Sequence, residues 1–144
     1  MRSAVLDTNV YIGFWERGLH AQPVQAIHAA FVVRHSAVVL SELRRGARTQ
    51  QARRTVEALQ RIATEIWEPS ANDWWEAGKL VRDLGDQLSW DIHKRREFQN
   101  DALLALTARR QGALLVTSNR SDFELLERRV GIRVQYLRPA PGQG

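Results

Sequence analysis

The sequence predicts a three-layer α/β sandwich, with a short, mainly parallel sheet between helices. Two observations carry that expectation. The apolar runs Ala4-Val-Leu6, Ala37-Val-Val-Leu40 and Ala113-Leu-Leu-Val116 are short and continuous, which suits strands covered on both faces. Between them, apolar residues recur at three- and four-residue spacing, as in helices with one face against a core. Alternating strands and helices favour parallel pairing, because each helix carries the chain back across the sheet.

Taken in order, residues 4–6 form the first strand and end on Asp7. Pro23 sits where a first helical turn tolerates it, and Val24, Ile27 and Phe31 follow on one face. Residues 37–40 are expected as the second strand, running into Ser41 and Glu42 at a helix start. Ala52, Val56, Leu59 and Ala63 mark the next helix, and residues 64–68 a weak edge strand. Ser70 and Asp73 are spaced as a capping box ahead of a helix with Trp74, Ala77, Val81 and Leu84 on one side. A further helix ends in Arg109-Arg110, which suits its negative pole, and stops at Gly112. The strand at 113–116 then exits into Thr117–Asp122, a short helix spans 122–129, and the alternating stretch 132–136 is a strand wet on one face. One domain over 1–138 and a disordered tail over 139–144 complete the expected organisation.

Bulk properties narrow the function. A chain of 144 residues with 44% apolar and 26% charged residues is an ordinary globular protein. It has no Cys for disulfide or thiolate chemistry, no apolar run of membrane-spanning length and no signal-peptide pattern, so the cytoplasm is the expected compartment. The formal net charge is +5, and all the cationic side chains except Lys79 and Lys94 are Arg. Guanidinium groups pair well with phosphate, which favours RNA or DNA over acidic protein surfaces as partner.

The acids give the chemistry. Function in open α/β sheets gathers at the carboxyl ends of strands, and Asp7, Glu42 and Asp122 all follow expected strand exits. Helix capping explains any one of them singly. Asp101 is different, because it lies inside a helix. Its neighbours three and four residues away are Glu97, Phe98, Leu104 and Ala105, with no cation among them. An unpaired carboxylate on an apolar face costs several kcal/mol or shifts its pKa upward. A distant Arg or a metal ion must compensate it. Clustered carboxylates repel by roughly 1–4 kcal/mol per pair, and oxygen-only donors select Mg²⁺ or Mn²⁺ over Zn²⁺. Such ions act on phosphates.

The segments VLDTNVYI, LSELRRG, NDALLALTARRQG and LLVTSNRSDF, in this order and spacing, resemble the PIN-domain ribonucleases, most closely the VapC-type toxins of bacterial toxin–antitoxin pairs. The resemblance spans residues 3 to about 137. It implies a metal-dependent endoribonuclease that is neutralised by an antitoxin and acts as a homodimer. By motif, Asp7, Glu42, Asp101 and Asp122 are the catalytic acids. Asp7 and Asp101 are the direct metal ligands, and Thr117 and Asn119 the supporting polar positions. Many relatives carry an acid where this chain has Asn119, which leaves Asp122 or Asn119 to complete the fourth corner, with Glu97 nearby.

Three other readings stay open at this level. One is a PIN nuclease of RNA processing that is not a toxin. Another is a PIN module that binds RNA or protein without cutting. The third, a nucleotide-binding or phospho-accepting domain, is disfavoured by DTNVYIG, which lacks the closely spaced glycines of a phosphate loop. Elsewhere, Trp74 and Trp75 are adjacent, so one is expected in the core and one on a partner. Core packing is also favoured for Phe14 and Trp15. The basic, aromatic-flanked stretch 89–98 is either an RNA grip or a solvated face, and the four His show no metal spacing.

Overall fold

A computed structural model describes residues 2–138, so the tail expected at 139–144 lies outside the described residues. Five strands form one sheet: β1 (Ser3–Leu6), β2 (Val32–Ser36), β3 (Ile66–Trp67), β4 (Leu114–Thr117) and β5 (Arg133–Tyr136), in the order β3-β2-β1-β4-β5. Every pairing is parallel. Seven helices connect them: α1 (Thr8–Arg17), α2 (Ala21–Ala30), α3 (Ala37–Gly46), α4 (Gln50–Ile62), α5 (Ala71–Leu88), α6 (Ile92–Gln111) and α7 (Arg120–Val130).

The three layers follow from the two-residue period of the strands. Ala4, Leu6 and Val116 turn to one face, where they meet Val10 of α1 and Ile27 of α2. Val5 and Leu115 turn to the other, against Val39 and Leu43 of α3, Ala77 and Leu84 of α5, Leu103 and Leu106 of α6 and Phe123 of α7. With both faces covered, the central strands carry no polar alternation. The expected three-layer sandwich is therefore the fold found.

One strand was misplaced. Ala37-Val-Val-Leu40 is the first turn of α3, and the second strand is Val32–Ser36. Ser36 ends the strand and caps the helix, its Oγ accepting from the N–H groups of Val38 (3.1 Å) and Val39 (3.4 Å). Ser41 accordingly does not cap a helix, and Glu42 lies past the first turn of α3 rather than at a strand exit. The capping box does form: Asp73 N–H donates to Ser70 Oγ (3.1 Å) and Ser70 N–H to Asp73 Oδ2 (2.9 Å).

The tryptophans also depart from expectation. Trp74 and Trp75 are both exposed, at 51% and 81%, so neither enters the core. Core aromatic volume comes instead from Trp67, Phe98 and Phe123, with Trp90 packed on Phe98 at 4.7 Å between ring centroids. On α1, Trp15 packs against the core as expected, whereas Phe14 is exposed.

Candidate active site

The chain leaves β1 toward β2 on one side and returns to β4 on the other, so the strand order reverses between β1 and β4. A crevice opens outside the carboxyl ends of strands at such a reversal. Asp7 follows β1 directly, and Thr117 closes β4 beside it.

Asp7 is 3% exposed and held on every side. Its backbone N–H donates to the Val116 carbonyl (2.9 Å), which extends the sheet by one bond. Its Oδ1 accepts from Thr8 N–H (2.8 Å), and its Oδ2 from Thr117 Oγ1 (2.8 Å) and Asn9 Nδ2 (2.9 Å). Capping and site-building are thus one role, since the same carboxylate starts α1. Burial nevertheless raises its pKa from 3.8 to about 6, over the lowering effect of the Thr117, Thr8 and Asn9 hydrogen bonds, and Glu42 adds to the rise.

Thr117 is the hub of this corner. It is fully buried, donates to Asp7, and its Oγ1 accepts from Asn119 N–H at 3.0 Å. Asn9 ties α1 to the β4 exit, its Oδ1 accepting from Ser118 N–H at 3.0 Å. Thr117→Val removes both the donor to a buried carboxylate and the acceptor for Asn119. We expect it to cost about 1–3 kcal/mol of stability in urea denaturation.

Glu42 enters from α3, where Oε1 accepts from Thr8 Oγ1 at 3.0 Å. Asp101 enters from the middle of α6, and Asp122 from the first turn of α7. Glu42, Asp101 and Asp122 line one cleft of about 450 Å³, a volume that accommodates a small ligand. Asp101 is half-buried and forms no ion pair among the described residues. Burial pushes its carboxyl well above the ordinary value, and the charges of Asp7, Asp122 and Glu42 push it in the same direction. The four carboxylates from separate elements therefore sense one another.

Asp122 differs from the rest. Lys94 Nζ donates to both of its oxygens at 2.8 Å, and Asn119 Nδ2 to Oδ2 at 3.1 Å. Asn119 also caps α7, its Oδ1 accepting from Asp122 N–H (3.4 Å). Glu97 pairs with His93 at 3.0 Å on the exposed side of the same cleft.

Three participants escaped the sequence reading: Thr8, Asn9 and the Lys94 pairing. Thr8 and Asn9 had a visible signal, since two small polar residues directly after a strand-end acid suit side-chain bonding across strand ends. Lys94 had none, because it meets Asp122 from 28 positions away.

A family model described as the PIN domain matches residues 4–128. The chain belongs to the PIN-domain family. Curated proteins include no match to this PIN domain. Solved structures do share its fold. VapBC-1 from nontypeable Haemophilus influenzae is 22% identical at a TM-score of 0.66, covering 93% of this chain and 97% of the other. VapBC2 from Rickettsia felis, solved bound to a DNA fragment from its promoter, is 21% identical at 0.67, covering 94% and 98%. VapBC-5 from Mycobacterium tuberculosis, a member of the VapBC family of toxin-antitoxin systems, is 23% identical at 0.57, covering 96% and 99%. Within this PIN fold, a pair of arginines flanks the acids: Arg45 of α3 and Arg96 of α6 line the cleft and form no ion pair among the described residues.

Whether the site suits a divalent ion is decided by its donors. All four acids offer hard oxygen, and Asp101 has like charges around it rather than a cation, a combination suited to Mg²⁺ or Mn²⁺. Among the described residues, no three His, Cys, Asp or Glu side chains already stand at ligand spacing. The fit is thus one of charge and chemistry, with the carboxylates spread wider than a closed coordination shell.

Proposed function

We propose that this PIN domain is an Mg²⁺- or Mn²⁺-dependent endoribonuclease and the toxin of a toxin–antitoxin pair. It is one domain over residues 1–138, acting in the cytoplasm as a homodimer. The observation that carries the proposal is that Glu42, Asp101 and Asp122 line one cleft while the charge of Asp7 reaches Asp101, which is raised by burial and then by these like charges and forms no ion pair among the described residues. Asp7 and Asp101 would hold the ion directly, with Glu42 beside them. When bound, the ion supplies positive charge for the phosphate oxygens and lowers the pKa of water.

The protein's own groups do the rest. Thr117, Thr8 and Asn9 fix the Asp7 carboxylate by hydrogen bonds, so it is preorganised. Thr8 orients Glu42, which would assist the ion or its water. Arg45 and Arg96 bracket the cleft and suit bidentate contact with RNA phosphates. We expect Arg45→Ala to raise KM about tenfold with little change in kcat, since a phosphate contact made equally in ground and transition states affects binding alone.

The toxin assignment is supported by the likeness to VapBC structures. The exposed Trp74–Trp75 pair supports a further contact surface, as a homodimer needs. Among the described residues no helix is long and apolar enough to cross a membrane. The deciding experiment is cleavage-site mapping on total cellular RNA with and without Mg²⁺ or Mn²⁺, alongside growth on expression with and without the neighbouring reading frame. Metal-dependent cuts with growth arrest relieved by that frame support the proposal. Cuts without arrest leave a PIN nuclease of RNA processing. The Lys94–Asp122 pair favours a second reading, a PIN module that binds RNA without cutting it, and RNA retention with no cuts under either metal would establish that one.

A further inference from the structure

We propose that Lys94 takes the place of a second cation, so that the site accepts one divalent ion, on the Asp7–Asp101 side, and a second only when Lys94 is removed. The inference rests on the metal-dependent reading above. A carboxylate offers about four lone-pair positions. Those of Asp122 already receive Lys94 at 2.8 Å on each oxygen and Asn119 at 3.1 Å on Oδ2. Bonds this short between opposite charges are strong, and Asp122 is only 12% exposed in its side chain. Three of the four positions are filled, so a single lone pair is left for an ion as long as Lys94 stays.

Lys94 is held in place from behind. Its backbone N–H donates to Asp91 Oδ1 (2.8 Å) at the start of α6. Its ammonium lies 5.4 Å from the centroid of the Trp90 ring, a favourable cation–π distance. Trp90 in turn packs on Phe98, which is completely buried. The ammonium is therefore built into the site rather than free to leave.

Charge balance gives the same answer. With Glu97, Arg45 and Arg96 of the same cleft included, Asp7, Glu42, Asp101 and Asp122 countered by one divalent ion and one ammonium come to a formal charge of zero, and a second divalent ion beside Lys94 would leave the site at +2. Without the ammonium one negative charge is left over and Asp122 loses its strongest partner, conditions that admit a second ion. Asp122 is on this account a positioning residue rather than a metal ligand. It holds a fixed positive group beside the cleft that receives the phosphate.

The test is the Mn²⁺ stoichiometry of the full chain, counted from the loss of free-ion signal in electron paramagnetic resonance and by calorimetry. Wild type and Lys94→Arg are expected to bind one Mn²⁺ per chain. Lys94→Met is expected to bind two, the second at least tenfold tighter than any second binding to wild type, and Asp122→Asn in that background to abolish the second. Lys94→Arg controls for folding, as it keeps the charge. Two ions in wild type, or one in a folded Lys94→Met, with RNA cleavage intact, overturns the role of Lys94 alone. No Mn²⁺ binding by any variant overturns both this inference and the metal-dependent nuclease.

Discussion

Asp101→Asn is expected to reduce RNA cleavage by about a hundredfold or more while raising the thermal midpoint of the metal-free protein. The two effects share one cause. In the absence of an ion, the Asp101 carboxylate is desolvated and faces the charges of Asp7, Asp122 and Glu42, all of which disfavour its ionised form. The isosteric amide removes that repulsion and stabilises the fold. On the proposed mechanism it would also remove a ligand of the ion that stabilises charge in the transition state, and losing one such interaction typically costs two to three orders of magnitude in rate. Single-turnover cleavage of a labelled RNA gives the first quantity and thermal denaturation in EDTA the second. A variant that cuts at the wild-type rate, or that melts lower than wild type without metal, contradicts the assignment of Asp101.

The second large effect is a pH dependence of stability that reverses the usual behaviour of a paired carboxylate. The pKa of Asp7 rises on folding from 3.8 to about 6. The folded state therefore binds more protons than the unfolded chain between those values, and stability falls as pH rises through that window. The loss amounts to at most about 3 kcal/mol, complete above the folded pKa. Asp101 contributes in the same direction. His35 opposes them: burial, then the charges of His28 and Arg34, lower its pKa, so it removes stability as pH falls below its ordinary value of 6.5. The stability gap between Asp7→Asn and wild type cancels the His35 contribution. Measured by urea denaturation in EDTA from pH 4 to 7.5, that gap is expected to shift steadily in favour of the variant. A gap that stays flat, or moves the other way, would mean that Asp7 ionises normally in the fold. Mn²⁺ is expected to erase the trend, since an ion bound to the carboxylates favours their charged forms.

How much of this was readable from the sequence depended on whether the signal was local. The parallel sandwich was legible because Val5 and Leu115 look to one layer and Ala4, Leu6 and Val116 to the other, which leaves short strands without polar gaps. The second strand was not, because Arg34 and His35 interrupt it. Arg34 is drawn to the sheet edge by Glu65 at 3.3 Å, and His35 pairs with Ile66 of the two-residue β3. The apolar run after Ser36 is helical because its Val39 and Leu43, four residues apart, face the core together. Asp101 was legible from what it lacks, a cation within one helical turn. Glu42 was singled out by its motif, yet it arrives from a helix interior, and only the Thr8 bond explains its aim. The pairing of Lys94 with Asp122 depends on how α6 lies against α7, which no periodicity in either segment encodes.

The hydrogen bond from Thr117 to Asp7 joins positions 110 apart. A ribosome making this protein delivers Thr117 110 residues after Asp7. Until then Asp7 has no neighbour on the fourth strand, and a fragment that stops before β4 lacks that corner of the candidate site. A site arranged in this way comes together only after the fourth strand has been made, however early the first strand emerges.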